Sequence, residues 1–119
     1  EIKPNEGWGM NKENYWKFPD PIKNYKEKVY YHIMKPDKNG KVCVKAVNKK
    51  LKLGISIKYN IKQLPEFVEW KMIGEGMYVV GFEPSNCHVE GRLKERQRGD
   101  LKFINPGETK KYNLEVEVI

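Results

Sequence analysis

The feature that most constrains the fold is a series of short alternating segments, each followed by a turn signal. Apolar residues occupy every second position of Leu51–Tyr59, and again from Tyr112 to Val118, where Tyr112, Leu114, Val116 and Val118 are predicted to face inward. Between such segments, Asp37–Gly40 ends in Asn-Gly, a dipeptide that favours a type I′ β-hairpin. Alternation with a period of two predicts strands with one buried face.

Roughly seven or eight strands separated by turns are typical of an antiparallel β-sandwich, so the sequence predicts an all-β fold. Residues 87–99 are charged and predict a short helix or a wound loop, and Asn105–Glu108 predicts a turn. The predicted strands are Glu27–Met34, Lys41–Ala46, Leu51–Tyr59, Val68–Ile73, Met77–Glu83, Leu101–Ile104 and Tyr112–Val118.

The first 26 residues differ from the remainder. They contain Pro4, Pro19 and Pro21 and show neither helical nor strand periodicity, which indicates an extended connecting segment. Residues 27–119 are then one β-sandwich domain. Because the chain opens on Glu1 and a polar stretch, we expect it to be the C-terminal part of a longer chain.

The charge pattern favours solubility over a nucleic-acid surface. The net charge is +7 over 119 residues, but the lysines alternate with acidic residues along the whole chain. No apolar run approaches the ~20 residues that a membrane helix needs. We therefore expect a cytoplasmic protein with no nucleic-acid partner and no membrane partner.

Metal and cofactor chemistry is not indicated. Cys43 and Cys87 are far apart and form no CxxC pattern, so reduced thiols are expected. His32 lies within a strand, where packing or hydrogen bonding is its expected role, and His88 is expected to be an exposed loop histidine. Two isolated histidines do not make a metal site. No metal and no cofactor are predicted.

Glu83 is the strongest candidate for chemistry. Alternation along Met77–Glu83 places it on the face of Gly81, opposite Tyr78, Val80 and Phe82, so that open space lies beside the carboxylate. A carboxylate at a strand end is also compatible with simple solvation, or with an ion pair to Lys71 or Arg92.

Four further residues are candidates for substrate binding, each with a structural alternative. Trp70 is suited to stack on a sugar ring or to fill the core, and Lys71 to bond a hydroxyl, to balance Glu83 or to remain in water. Asn86 is either a hydroxyl partner or a turn residue. Arg92 is suited to clamp an acidic or phosphorylated sugar, or to pair with Glu90 or Glu95.

The motifs WKMIGEGMYVVGFEPSN from Trp70, EGR from Glu90, RQRG from Arg96 and LKFINPGETKKYNLEVEV from Leu101 occur in one order, after EKVYYHIM, KAVN and LPEF. Together they cover most of residues 27–119. This sequence resembles the C-terminal half of the galactose mutarotase-like superfamily, and in particular an aldose 1-epimerase-like family often described as a domain of unknown function.

The resemblance implies the C-terminal half of a β-supersandwich that binds a sugar or sugar derivative on the concave face of its large sheet. It also implies that Glu83 is the general base, which removes the proton of the anomeric hydroxyl while a histidine acid protonates the ring oxygen. The ring then opens, rotates and closes as the other anomer. Such a base and acid each supply about 10²–10⁴ in rate.

The sequence departs from that pattern at two points. The acid histidines of the family lie in an N-terminal half, and His32 and His88 do not match them. Pro84 and Ser85 replace the threonine and glutamine that follow the catalytic glutamate. The expected function is therefore the base half of a sugar isomerase, with a non-catalytic carbohydrate-binding module as the alternative. An incomplete sandwich also predicts self-association.

Overall fold

The computed structural model describes residues 2–4 and 15–119. Seven strands and one short helix lie within them, and the strands form two antiparallel sheets, which confirms the all-β, antiparallel fold class. The elements are β1 Ile2–Pro4, β2 Lys28–His32, β3 Lys41–Asn48, β4 Leu53–Asn60, β5 Glu66–Gly74, β6 Met77–Ser85, α1 Arg92–Arg98 and β7 Leu114–Val118.

The chain divides into two compact units, and each contains one sheet. The first unit is Glu1–Ile33 with Phe67–Glu83, and the second is Met34–Glu66 with Pro84–Ile119. Residues 5–14 of the predicted connecting segment lie outside the described residues, and the domain boundary after residue 26 stays a prediction.

The sheet of the first unit has the order β1-β2-β5-β6. β2 pairs on one side with β1, where Ile2 is opposite His32, and on the other side with β5, where Tyr30 is opposite Glu69. β6 is an edge strand, and Pro84 lies within it. An edge strand can hold a proline because one row of its backbone groups needs no ladder partner.

Both faces of this sheet are covered at the start of β5. Phe67 and Val68 are adjacent on β5 and so point to opposite faces, yet they are only 2% and 0% exposed. Phe82 of β6 stacks on Phe67 with ring centroids 6.2 Å apart, which places Phe82 on the Phe67 face. Alternation then places Gly81 and Glu83 on the Val68 face.

The sheet of the second unit has the order β3-β4-β7. Its buried apolar side chains are Val42, Ile57 and Tyr59, and Val42 and Tyr59 are opposite each other in the ladder. The predicted inward-facing residues of the last strand do share the Ile57 and Tyr59 face, because Val116 is opposite Ile57. They are nevertheless exposed, so the prediction that they face a buried core is wrong: the sheet face that they share is open to solvent at β7.

The loop between Asp37 and Lys41 is not the type I′ turn that the sequence predicted. A type I′ turn needs positive φ at both central residues, but only Gly40 has it, at 76°. The Oδ1 atom of Asp37 accepts hydrogen bonds of 2.8 Å from the backbone N–H groups of Asn39 and Lys41. A carboxylate that holds two amides in this way, followed by a left-handed glycine, makes a tight turn. The predicted β-hairpin is wrong here, because β2 and β3, the strands on either side of the turn, lie in different sheets.

In the C-terminal third of the chain, the predicted helix is confirmed and a predicted strand is wrong. A helix does form at Arg92–Arg98 and ends at Gly99, whose φ is 80°. The predicted strand Leu101–Ile104 is absent, because no neighbouring strand pairs with it, and Phe103 is 71% exposed. Apolar residues in a short run do not form a strand without a ladder partner.

Candidate functional site

Glu83 is exposed near the end of β6, and its carboxylate folds back over Gly81. A Cβ atom added at Gly81 would collide with Oε1 of Glu83. The glycine therefore provides the space that the sequence predicted beside this carboxylate. Among the described residues, Glu83 makes no hydrogen bond or ion pair, so the carboxylate is open to a ligand.

Trp70 lies on β5 and shares a sheet face with Glu83. It alternates with Phe67, whose ring stacks on Phe82, so Trp70 and Glu83 both point away from that stack. The indole Nε1 donates a hydrogen bond of 2.8 Å to Glu27. Because this bond uses the edge of the ring, it fixes the indole without occupying a ring face.

Lys71 points to the opposite face and is fully buried, so the expectation that it remains in water is wrong. Its Nζ donates a hydrogen bond of 2.6 Å to the backbone oxygen of Lys17 and lies 4.9 Å from the ring centroid of Phe18. Since Lys71 and Glu83 are on opposite faces of one sheet, the lysine does not balance that carboxylate.

Asn86 and Arg92 belong to the second unit. The Nδ2 atom of Asn86 donates to the Tyr112 hydroxyl at 3.2 Å. Arg92 is the first residue of α1, is exposed, and has no ion pair with any residue in the described part of the chain. Glu90 and Glu95, its predicted partners, both pair with Arg98 instead.

Both histidines are held by glutamates. His32 Nε2 is 2.9 Å from Oε2 of Glu69, which confirms the hydrogen-bonded role expected for this histidine. His88 Nε2 is 3.2 Å from Oε2 of Glu66, and the residue is partly buried rather than exposed.

The His32–Glu69 pair is the polar feature that the sequence pattern missed. Glu69 is 3% exposed, and its second carboxylate oxygen, Oε1, is buried with no hydrogen-bond partner among the described residues. The sequence did contain a signal of this feature, because Glu69 and Lys71 are charged residues in a strand that is otherwise mostly apolar. The pairing itself depends on the β2–β5 register, which a local pattern does not contain.

The segment Tyr15–Pro19, called the strap here, lies over the face that carries Glu69 and Lys71. The Tyr15 ring packs edge-on against His32, with centroids 5.4 Å apart. At the other end of the strap, the backbone oxygen of Pro19 accepts a hydrogen bond of 2.7 Å from the Tyr78 hydroxyl. Burial, together with the nearby Asp20 carboxylate, raises the pKa of Tyr78, which keeps this hydroxyl a donor.

The described residues contain neither a membrane-spanning helix nor a cluster of metal ligands. No helix in residues 15–119 is long and apolar enough to cross a membrane. Within the same part of the chain, no three His, Cys, Asp or Glu side chains cluster closely enough to hold a metal ion. Cys43 and Cys87 are not joined in a disulfide.

Comparison with known proteins gives one match. The model of a family described as Domain of unknown function (DUF4432) matches residues 3–118. No curated protein and no solved structure matches the chain.

Proposed function

Because the chain belongs to the DUF4432 family, a domain of unknown function, we propose a role from its own residues. In this proposal it is a carbohydrate-binding domain that supplies Glu83 as the general base of an aldose 1-epimerase-like isomerase. The observation that carries the proposal is the exposed Glu83 carboxylate folded over Gly81 on the same sheet face as Trp70.

This arrangement suits a pyranose. The hydrogen-bearing carbons of a sugar ring pack on an indole, while a carboxylate beside it accepts the proton of a hydroxyl. Glu83 takes the anomeric proton, an acid gives a proton to the ring oxygen, and the C1–O5 bond breaks to leave an open-chain aldehyde. Rotation about C1–C2 and the reverse transfers restore both protons and give the other anomer.

The test is anomer interconversion of D-glucose and D-galactose, followed by NMR exchange spectroscopy in the longest natural protein that contains this sequence. Glu83→Gln should slow the catalysed rate by about 10²-fold or more, because an amide is a poor base. Glu75→Gln removes the same charge from the exposed β5–β6 turn and should leave the rate unchanged. A wild-type rate in Glu83→Gln would contradict the proposal.

A second variant moves the carboxylate without removing it. Gly81→Ala places a methyl group where Oε1 of Glu83 now lies. The end of a glutamate side chain swings aside easily, so the fold should persist while the catalysed rate falls. Circular dichroism of the variant checks the fold independently of the rate.

A non-catalytic carbohydrate-binding module is the second candidate. It is favoured by the state of the two histidines, since His32 and His88 are each held by another glutamate rather than by Glu83. In this case the sugars would give saturation-transfer NMR signals with the protein, but the anomer exchange rate would equal that of sugar in buffer. Catalysed exchange would exclude this candidate.

A further inference from the structure

The unpaired oxygen of Glu69 is the starting point. A carboxylate oxygen that is buried without a hydrogen-bond donor is costly, and such groups are rare in folded proteins. Glu69 Oε2 is used by His32, but Oε1 is not used by any described residue. A ligand that donates a hydrogen bond would satisfy it.

The groups around Glu69 define what such a ligand must be. Lys71 is two residues along β5, on the same face, and is fully buried. An anionic ligand would be repelled by Glu69 and a cationic one by Lys71, so a neutral ligand fits both. The ligand must donate to Glu69 and accept from Lys71, and a hydroxyl group does both.

Aromatic side chains border the same position. Tyr30 is directly opposite Glu69 in the ladder, and Phe67 precedes it on the same face. The His32 ring lies between Tyr15 and Phe67, with both centroids 5.4 Å away. Aromatic walls with a few convergent polar groups are typical of a small-molecule binding site.

The strap already makes some of the hydrogen bonds that the ligand would make. Its backbone oxygens at Lys17 and Pro19 accept hydrogen bonds from Lys71 and Tyr78, at 2.6 and 2.7 Å. It offers no donor to Glu69 Oε1. The strap thus accepts hydrogen bonds from Lys71 and Tyr78 but donates none to Glu69 Oε1.

We propose that the sheet face carrying His32, Glu69 and Lys71 is a binding site for a neutral polyol or sugar, and that the strap closes it until the ligand displaces it. The site does not rest on the role proposed for Glu83, because alternation places Glu83 on the other face of the sheet. The ligand hydroxyl donates to Glu69 Oε1 and accepts from Lys71 Nζ, in place of the Lys17 backbone oxygen.

The two histidines provide the measurement. The chain contains only two, so the ring C–H region of a ¹H–¹³C spectrum has one set of signals from each, and a His88→Gln spectrum assigns them. The full chain is titrated with D-glucose, D-galactose and myo-inositol. The His32 signal should shift saturably with at least one probe while the His88 signal stays in place. No shift of His32 with any probe would overturn the proposal.

Three variants locate the site. Glu69→Gln keeps the size of the side chain but should abolish the saturable shift, whereas Glu75→Gln should leave it unchanged. A normal shift in folded Glu69→Gln would overturn the proposal. Glu83→Gln separates this site from the one proposed above, because loss of the His32 shift in that variant would assign the binding to the Glu83 face and overturn the inference.

The strap is tested by loosening it. Tyr78→Phe removes the hydrogen bond to Pro19 at an exposed position and should therefore fold normally. A larger fraction of molecules with the strap open should lower the apparent Kd for the probe by about two- to tenfold. This is the change expected when the closed form loses one hydrogen bond. Unchanged or weaker binding would contradict closure by the strap.

Discussion

Tyr59 shows how burial changes the ionisation of a single side chain. It is 3% exposed on β4, and burial, together with the charge of Glu66, raises its pKa from 10.0 to about 12. The neutral phenol is therefore favoured in the folded state. Between these two pKa values the folded state binds more protons than the unfolded state, so the stability that Tyr59 contributes is present below pH 10 and is lost as the pH rises toward 12.

Tyr59→Phe should make the protein less sensitive to alkali. In urea unfolding at pH 9 to 12, the unfolding free energy of the wild type should fall more steeply than that of the variant, by up to about 1.4 kcal/mol per pH unit. Lysines and other tyrosines titrate in both proteins. The effect of Tyr59 is therefore the difference between the two curves of unfolding free energy against pH. Parallel curves would contradict a raised Tyr59 pKa.

Gly54 sets how closely the strands β3 and β4 can approach each other. A Cβ atom there would lie 2.6 Å from the backbone oxygen of Ala46 and 3.2 Å from Cγ1 of Ile119. The contact at Ala46 is with backbone in a paired strand, which cannot turn aside as a side chain end can.

Gly54→Ala should therefore destabilise the protein by about 1–3 kcal/mol, the usual cost of overpacking. Gly74→Ala is the matched control, since its new methyl group would first meet the flexible end of Met72 at 3.3 Å. Chemical unfolding of both variants gives the comparison. Equal losses of stability would show that the Ala46 contact is not the cause.

The elements that the sequence predicted well are those specified locally. β3, β4 and β6 follow from alternation, and the loop at Asp37 follows from its turn residues, although the side chain of Asp37 rather than the Asn-Gly dipeptide decides the turn type. Leu101–Ile104 failed because a strand also needs a partner strand.

The candidate site likewise has some features that local sequence predicts and others that it does not. The side to which Glu83 points and its space over Gly81 depend on residues two apart, and the sequence predicted both. The burial of Lys71 and the pairing of Glu69 with His32 depend on segments distant in sequence, namely the strap and β2. Alternation tells which residues share a face, but it does not tell what covers that face.

At the scale of the whole molecule, the edge strand β7 presents apolar side chains to solvent. Leu114, Val116 and Val118 are 53%, 60% and 71% exposed on one face. An exposed apolar row beside unpaired backbone groups is a common route to association between copies. We therefore keep self-association as a prediction.

Val116→Lys should reduce the mass measured by light scattering at high protein concentration, because it places a charge in the middle of the apolar row. Asn113→Lys adds the same charge just before the strand, at a position that alternation assigns to the other face, and should leave association unchanged. A monodisperse monomer in the unmutated protein would contradict the prediction.

The order of strands in the two sheets has a consequence for the folding rate. β3 and β4 are neighbours in sequence and can pair early, but β2 must wait for β5, and β4 for β7, which is close to the end of the chain. Proteins dominated by such distant pairings fold in milliseconds to seconds rather than microseconds. During that interval the β3–β4 hairpin exists without β7, and its Ile55–Tyr59 edge is open to strands of other chains.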